Sequence, residues 1–261
     1  LQFNSLIVDC PICLTNLHNL VMHIKNLTQN EYIALQKGQM CYNRKNNLYR
    51  SFLHVTKRVR HNFCFQMKGS ELDMDHKGTV TLETERLILR RFKLEDADAM
   101  FRNWANDPEV TRYLTWPTHS DVSVSRFVIG SWLKQYENLN YYSWAIVLKE
   151  IDEPIGSISA VMINELLEEV EVGYCIGRKW WRQGYTSEAL AELIRFFFEE
   201  VGVNRIKATH DVQNPNSGKV MQKCGMKYEG TMRQGGKNNQ GLCDVSVYAI
   251  IAKVYFAHRH N

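Results

Sequence analysis

The chain has 261 residues, 44% of them hydrophobic and 23% charged, and a formal net charge of +4. This length is enough for one large domain or for a medium domain with a small one, and the apolar fraction is enough for a full core. So modest a charge does not by itself indicate nucleic-acid binding, and because no apolar run reaches roughly 18 residues we expect no membrane partner either.

Seven cysteines, an odd number, are spread over a chain too long to be a small disulfide scaffold. The first residues also lack the basic-then-apolar layout of a signal peptide. We therefore predict a cytoplasmic, reducing environment.

The charge is concentrated at the start of the chain. Residues 1–73 carry nine Lys and Arg against four Asp and Glu, a local charge of +5, whereas the remainder is at −1. Residues 67–80 are polar, contain two glycines and show no hydrophobic periodicity, which is typical of a linker. These features divide the chain into a basic extension, residues 1–73, and a main domain, residues 74–261.

The extension contains a Cys10-x-x-Cys13 pair followed by histidines, of which His23 is the best-spaced ligand. The pattern resembles the start of a small zinc finger, but no fourth ligand follows His23 at a fitting distance. A Cys-x-x-Cys pair alone is a weak signal. Three interpretations stay open: a zinc module, a solvated basic segment, or an upstream segment with no fold of its own. We expect no other metal site.

The main domain begins with alternating strand and helix patterns. Residues 80–92 alternate apolar and polar positions, as a first strand does, and a helical spacing follows and ends before Pro108. A turn containing Asp152 then separates two strands. The predicted elements are a strand over 80–92, helices over 94–107 and 124–138, and strands over 141–148 and 154–163.

The second half continues the mixed pattern. A strand over 169–177 leads into a loop, and a helix runs from Ser187 to about Val201, with Gly202 at the position that ends it. After a short strand over 205–210, Asn214 and Pro215 predict a helix cap and first turn. That helix extends to Gly225 in the segment 214–226, and a final strand covers 243–255. The order indicates an α/β (α+β) fold.

The loop before the long helix has the features of an anion site. The N-terminus of a helix exposes free N–H groups and the positive end of the helix dipole. Gly184 lets a phosphate approach the backbone and permits unusual dihedral angles, and Arg182 adds a positive charge. The alternative is that Gly184 only turns the chain.

The segment Trp181-Arg-Gln-Gly184-Tyr-Thr186, followed by Ser-Glu-Ala, resembles the pyrophosphate loop of the GNAT superfamily of acetyl-CoA-dependent N-acetyltransferases, in its RimJ/RimL-like branch. That loop runs Gln/Arg-x-x-Gly-x-Gly/Ala, so Trp181 and Thr186 depart from it. Residues 84–114, 170–177 and 214–233 are similar to further motifs of this branch and occur in the same order. The resemblance spans about residues 79–255.

The resemblance implies a GNAT acyl-CoA N-acyltransferase fold, a mixed and mostly antiparallel sheet flanked by helices. It also implies transfer of acetyl from acetyl-CoA to a primary amine, either a protein N-terminus or a small-molecule amine, by direct attack in a ternary complex. The residues expected to hold acetyl-CoA are Cys175, Ile176, Gly177, Arg182, Gln183, Gly184, Tyr185, Thr186, Asn214 and Ser217.

Two residues are candidates for proton transfer. Glu171 is the candidate base, since the family often places a carboxylate on this strand; alternation puts it opposite Val172, and the alternative is a solvent-facing strand residue. Many relatives use a tyrosine as general acid where this chain has Met221. Ser217, which matches a serine of the RimJ/RimL-like branch, is therefore the candidate acid, and its alternative role is to bond local backbone groups.

Cys175 and Cys224 are expected to be small buried hydrophobes, not nucleophiles. Seven aromatic residues between the first two helices could wall an acceptor cleft, although aromatic side chains are more often core. They are Trp104, Tyr113, Trp116, Trp132, Tyr136, Tyr141 and Tyr142.

Two rival hypotheses remain. One is a zinc-dependent nucleic-acid-binding protein with a GNAT-like acetyl-CoA sensor domain, and the other is a GNAT-fold protein that binds acetyl-CoA without catalysis. The sequence is compatible with a homodimer but does not fix the oligomeric state, and it does not identify the acceptor amine.

Overall fold

The computed structural model describes residues 74–257, and these form eight strands in one sheet of order β1-β2-β3-β4-β5-β6-β8-β7. Neighbouring strands are antiparallel except β5 and β6, which are parallel. The strands are β1 Leu82–Glu83, β2 Leu87–Arg90, β3 Ser143–Leu148, β4 Glu153–Asn164, β5 Glu169–Ile176, β6 Arg205–Asp211, β7 Lys227–Asn238 and β8 Gly241–Ile251. The mixed, mostly antiparallel sheet is the predicted one.

Helices cover both faces of this sheet. The first is a composite in which α1 Ala97–Met100 follows a 3₁₀ turn, Leu94–Asp96, and continues as a π-helical segment, Phe101–Ala105. The π-helical segment Phe197–Val201 likewise extends α4. The remaining helices are α2 Pro108–Thr111, α3 Val122–Leu133, α4 Tyr185–Phe196, α5 Pro215–Lys223 and α6 Ala252–Ala257.

Two apolar clusters hold these layers together. On one face, α4 and its π-helical extension bury the predicted stripe of Leu190, Leu193, Ile194 and Phe197 against the sheet. On the other, the composite helix and α3 pack Trp104 and Ile129 on the sheet, among other residues. Every residue of β3 is buried, because this strand lies between the two clusters.

The sheet splits between β5 and β6. Their parallel pairing covers only Glu169–Glu171 against Arg205–Lys207, although β5 continues to Ile176 and β6 to Asp211. On the side of β6, the backbone of β5 beyond Glu171 therefore faces a gap, while its other edge stays paired with β4. Both cavities described below open at this gap.

Two predicted strands were wrong in extent. Residues 80–92 form two short antiparallel strands, because the Thr84 N–H donates to the Leu87 carbonyl and the Leu87 N–H donates to the Thr84 hydroxyl, which closes a turn. The last strand ends at Ile251 instead of Tyr255. There the aromatic rings of Tyr255 and Phe256 pack on Phe198, which favours the helix α6 over continued pairing.

The other predicted elements are confirmed in type, with ends that shift by a few residues. The long helix begins at Tyr185, two residues before the predicted start, and the second helix ends at Leu133. Strand β7, which has twelve residues and is mostly exposed, was not predicted from the sequence. The edge position of β7 gives it little of the apolar alternation that marks the other strands.

Candidate active site

The loop before α4 adopts a conformation that requires glycine. Gly184 has a φ of +85° and Arg182 a φ of +62°, both in the left-handed region, and α4 begins at the next residue, Tyr185. A Cβ at position 184 would lie 3.4 Å from Nη2 of Arg86 and 3.7 Å from Nζ of Lys223. The glycine thus keeps the backbone open beside two cations at the positive end of a helix.

A half-buried carboxylate anchors this loop to the start of the sheet. Oε1 of Glu188 accepts hydrogen bonds from the Thr84 hydroxyl (2.6 Å) and the Arg86 backbone N–H (2.9 Å). Arg86 also donates to Oε2 of Glu188 (2.7 Å) and to the Gln183 carbonyl (3.1 Å). Burial acts to raise the pKa of Glu188, but the hydrogen bonds from Thr84 and Arg86 outweigh it and lower that pKa. Glu188 therefore stays ionised and holds the loop in place.

The loop and the first turns of α5 enclose a cavity of about 360 Å³, here named the loop-side cavity. Seven of the ten residues predicted to hold acetyl-CoA line it: Cys175, Ile176, Arg182, Gly184, Thr186, Asn214 and Ser217.

The other three predicted residues do not line the loop-side cavity. Gly177 packs against Trp180, the Gln183 side chain donates to the Lys179 carbonyl, and the Tyr185 ring is buried with the Arg86 guanidinium 4.3 Å from its centroid. These three therefore shape the loop from outside the cavity.

Trp181 and Thr186, the departures from the family pattern, also face this cavity. The indole N–H of Trp181 donates to the Ile176 carbonyl at 2.8 Å and thereby ties the loop to the end of β5.

Three cations line the loop-side cavity without an acidic partner. Arg182, Lys219 and Lys223 face it, and none of them has a carboxylate within 4 Å in the described part of the chain. Unpaired cations converging on a helix N-terminus favour a polyanionic ligand. Arg182 was predicted from the sequence, but the two lysines were not, because they come from α5, about 40 residues further along the chain.

A second cavity of about 650 Å³ lies beside the split in the sheet and is named the sheet-side cavity. Its walls come from β4, β5 and β6, from the β7–β8 hairpin, and from the segment after α2. The residues that line both cavities are Tyr113, Leu114, Tyr174, Cys175, Asn214 and Ser217. A ligand in one cavity can therefore reach a ligand in the other at this junction.

Glu171 lies in the wall of the sheet-side cavity, opposite the buried Val172 as predicted. Its side chain is 15% exposed, so it is not the ordinary solvent-facing residue of the alternative interpretation. Oε2 pairs with Nζ of Lys207 at 3.0 Å, and Oε1 accepts from the Thr209 hydroxyl at 3.0 Å. Burial acts to lower the pKa of Lys207, but Glu171 and then Glu169 raise it above its usual value. Lys207 thus stays charged beside Glu171.

Ser217 meets a tyrosine that the sequence analysis did not single out. Its hydroxyl donates to the phenolic oxygen of Tyr174 at 3.1 Å, and that phenol donates to the Ser217 carbonyl at 2.9 Å. Burial raises the pKa of Tyr174. The alternative role for Ser217, bonding to nearby helix backbone groups, is not what its hydroxyl does.

Asn214 stands at the N-cap position of α5, but the predicted cap hydrogen bond is wrong. Its side chain makes no such bond, since its φ of −109° and ψ of 64° are outside the usual cap conformation. The Asn214 amide lines both cavities instead.

Both cysteines near the site are partly buried instead of fully buried. Burial raises the pKa of each thiol, to about 12 for Cys224. Sγ of Cys175 lies 3.2 Å from the Ser157 hydroxyl, and Cys224 donates to the Ser187 carbonyl. Raised thiol pKa values disfavour a nucleophilic role.

The seven aromatic candidates divide between cavity and core. Trp104, Tyr136 and Tyr142 are core residues, so they cannot form a cleft wall. Tyr141, in neither cavity lining, has its ring centroid 5.5 Å from that of Tyr136. Those lining the sheet-side cavity are Tyr113, Trp116 and Trp132.

The β7–β8 hairpin closes over the sheet-side cavity, a contact that no sequence motif signalled. The Asn239 side chain donates to the carbonyls of Thr111 (2.8 Å) and Trp116 (2.7 Å), and its backbone N–H donates to the Leu114 carbonyl (3.1 Å). Asn238 binds Asp211 at 2.7 Å on the other side of the hairpin. This clasp fixes the segment that carries Tyr113 and Trp116.

Comparisons with known proteins agree with this geometry. The profile of the Acetyltransferase (GNAT) domain family matches residues 86–227. The chain is 37% identical over 177 residues to the uncharacterized N-acetyltransferase p20 of Bacillus licheniformis, covering 67% of this chain and 98% of that protein. It is 31% identical over 140 residues to the ribosomal-protein-serine acetyltransferase of Escherichia coli, covering 53% and 76%.

Among solved structures, RimL, a ribosomal L7/L12 α-N-protein acetyltransferase in complex with coenzyme A, superposes with a TM-score of 0.60 at 20% identity. The match covers 66% of this chain and 98% of RimL and shows a shared fold. The chain belongs to the GNAT acetyltransferase family, within its RimJ/RimL-like branch, and is an acetyl-CoA-dependent acyltransferase. The predicted family and fold are confirmed.

The candidate zinc ligands Cys10, Cys13 and His23 lie outside the described residues. Within residues 74–257, no group of three or more His, Cys, Asp or Glu side chains is placed to hold a metal ion. None of the helices in that range is long and apolar enough to cross a membrane.

Proposed function

We propose that this protein transfers the acetyl group of acetyl-CoA to a primary amine by direct attack, with both substrates bound at once. The observation that carries the proposal is the meeting of the two cavities at Tyr174 and Ser217. Acetyl-CoA would occupy the loop-side cavity and the amine the sheet-side cavity. Because the cavities share walls, no covalent acetyl-enzyme is needed to carry the group between them.

The loop-side cavity fits the charged part of acetyl-CoA. A pyrophosphate is polyanionic, and here it would meet the N–H groups at the start of α4, the open backbone at Gly184, and three unpaired cations. Asn214 and the end of β5, where the sheet has split, would bind the amide groups of the pantetheine arm. These contacts place the thioester at the junction of the cavities.

The sheet-side cavity supplies a base for the amine. A protonated amine cannot attack a thioester, so one proton has to leave before the attack and a second has to leave as the C–N bond forms. Glu171 faces this cavity and is held by Lys207 and Thr209. It would accept these protons one after the other through a water molecule and release each to solvent. As the new C–N bond forms and the C–S bond breaks, the Ser217 hydroxyl donates one proton to the departing sulfur.

Two classes of acceptor fit this site. A relative is named for acetylating a ribosomal protein, which favours a protein N-terminus. Small-molecule amines are the second class, because the sheet-side cavity of about 650 Å³ is large enough for one.

A panel of amines tests the proposal. The full chain is incubated with acetyl-CoA and with peptides that begin in serine or alanine, the same peptides with blocked N-termini, and polyamines. Thiol release and the mass of the acceptor are measured together. We expect thiol release matched by acetylation of a free amine, and no reaction with the blocked peptides. Thiol release that never exceeds the acceptor-free control across the panel would contradict the proposal.

A further inference from the structure

We infer that Tyr174 is a positioning residue for acetyl transfer: it fixes the direction of the Ser217 hydroxyl across the split between β5 and β6. The inference rests on the proposed function, in which Ser217 delivers a proton to the departing sulfur. Tyr174 belongs neither to the loop before α4 nor to the pair of candidate proton-transfer residues, Glu171 and Ser217.

The hydrogen-bond pattern between these residues has only one solution. The Ser217 carbonyl can only accept, so the single proton of the Tyr174 phenol points to it over 2.9 Å. The Ser217 hydroxyl, 3.1 Å from the same phenolic oxygen, therefore has to donate. In the free enzyme the Ser217 proton points at Tyr174, and the lone pairs of Ser217 are left for a ligand at the junction.

This arrangement defines when Ser217 can act as a donor. The hydroxyl has to rotate away from Tyr174 to reach the sulfur, and the phenol keeps its bond to the Ser217 carbonyl while this happens. Burial raises the pKa of Tyr174, so the phenol stays protonated and is not the source of the transferred proton.

The proton balance closes without Tyr174 losing its proton. The protonated amine first gives one proton to Glu171 through water, and Glu171 releases it to solvent. The neutral amine then forms the C–N bond and gives up its second proton by the same route. The C–S bond breaks, the sulfur takes the proton of Ser217, and Ser217 regains one from solvent. Tyr174 holds the hydroxyl oxygen in place before and after the exchange.

The pair also joins two elements that the sheet no longer connects. Tyr174 is on β5, three residues past the last residue that pairs with β6, and Ser217 is in the first turn of the helix that follows β6. Met221, which stands where many relatives carry a tyrosine, is buried and has no proton to donate. In this chain the phenol thus comes from the opposite wall of the split.

A double-mutant cycle in the full chain tests the inference. Tyr174→Phe keeps the ring and removes both hydrogen bonds, and Ser217→Ala removes the hydroxyl. We expect each variant to lower kcat about tenfold, the double variant to lose no more than a further twofold, and the Kd of acetyl-CoA to change less than threefold in all three.

Tyr248→Phe is the matched control. The Tyr248 hydroxyl accepts from the side chain of Gln222 on the same helix at 3.0 Å, but Tyr248 lines neither cavity. It should lower the melting temperature as Tyr174→Phe does while keeping kcat within twofold of the wild type.

Several results would overturn the inference. They are a double variant slowed about a hundredfold, a Tyr174→Phe variant with wild-type kcat, or a Tyr248→Phe variant as slow as Tyr174→Phe. A wild type that acetylates no amine in the panel overturns the proposed function and, with it, the catalytic role of the pair. In that event the melting temperatures of the same three variants still test the contact between Tyr174 and Ser217. If the hydrogen bond forms, the loss of melting temperature in the double variant differs from the sum of the two single losses by about 2 °C.

Discussion

The two cavities differ in how the chain builds them. The loop-side cavity comes mainly from two short stretches, residues 174–187 and 214–223, and its chemistry is that of backbone N–H groups and free cations. The sheet-side cavity gathers residues from β4, β5 and β6, from the β7–β8 hairpin and from the segment after α2. Two of its charged groups, Glu171 and Lys207, are already paired with each other.

This difference separates a general task from a particular one. Binding the same nucleotide-bearing cosubstrate needs local geometry, so a short motif suffices for the loop-side cavity. Choosing one amine needs a wall assembled from distant segments and held by contacts such as those of Asn239. We therefore expect variants of the two cavities to separate acetyl-CoA binding from acceptor turnover.

Glu171→Gln should have the largest effect, and only on the sheet-side cavity. Removing the base lowers kcat about a hundredfold, since general bases contribute roughly 10²–10⁴. Part of the loss should be recovered at higher pH, where more of the amine is already neutral. Steady-state kinetics across pH measure kcat, and a calorimetric titration measures the Kd of acetyl-CoA. This Kd should stay within twofold of the wild-type value.

Glu169→Gln is the control for this change. Glu169 is on the same strand and pairs with Arg205 and Lys207, but it lines neither cavity. Equal losses in both variants would show that ion pairing in the sheet, and not a base, explains the effect of Glu171→Gln.

The second largest effect is expected when Lys219 and Lys223 are both replaced by alanine, which should weaken the binding of acetyl-CoA in the loop-side cavity. Losing two cations near the phosphates raises the Kd of acetyl-CoA roughly 10- to 50-fold and flattens its dependence on salt. Calorimetry at two salt concentrations provides the measurement. Lys237→Ala, in the wall of the sheet-side cavity, is the control and should leave this Kd unchanged. Unaltered binding in the double variant would remove these lysines from the cosubstrate site.

Asn239→Ala should have a moderate effect confined to the sheet-side cavity. Losing two side-chain hydrogen bonds destabilises the protein by about 1–2 kcal/mol, a fall in melting temperature of about 2–6 °C. The acceptor KM should rise several-fold, with acetyl-CoA binding preserved. Asn164→Ala, which removes a local bond to Leu167 outside both cavities, should leave the acceptor KM unchanged. A rise in the acceptor KM for both variants would contradict a role of the Asn239 clasp in acceptor binding.

His119 should give the smallest effect, a pH dependence of stability close to the clasp. Burial lowers its pKa below 6.5, so the unfolded chain takes up a proton before the folded one does. Stability from this residue is present above about pH 6.5 and is lost as pH falls through the folded pKa. When the pH is lowered below 6.5, the melting temperature of the His119→Gln variant should fall by about 1–2 °C less than that of the wild type. An unchanged slope in the variant would exclude His119 as its source.

The sequence was informative where structure depends on neighbours along the chain. The stripe on α4 and the left-handed Gly184 follow from spacing and from one residue type, and both are as predicted. The wrong strand ends have tertiary causes, since α6 depends on rings that pack on Phe198. The missed β7 is an exposed edge strand with three glycines, which hides its alternation.

Within the site, Ser217 and Tyr174 show the same contrast between what neighbours along the chain determine and what tertiary contacts determine. Ser217 was found through a motif, whereas Tyr174 becomes notable only because its partner lies 43 residues away and the sheet splits between them. Alternation alone placed Tyr174 on the Val172 face of β5 and gave it no partner. The clasp at Asn239, more than 120 residues from its acceptors, left no sequence signal at all.

The most direct test of the account compares two glycines at the ends of the same helical run. Gly184 and Gly202 both have positive φ, +85° and +79°, but an added Cβ meets Arg86 and Lys223 at Gly184 and open space at Gly202. Calorimetric titration of the full chain with acetyl-CoA should show a Kd raised at least tenfold in Gly184→Ala and within twofold of wild type in Gly202→Ala, although both substitutions lower the melting temperature. Wild-type affinity in Gly184→Ala would contradict the assignment of this loop to the pyrophosphate of acetyl-CoA.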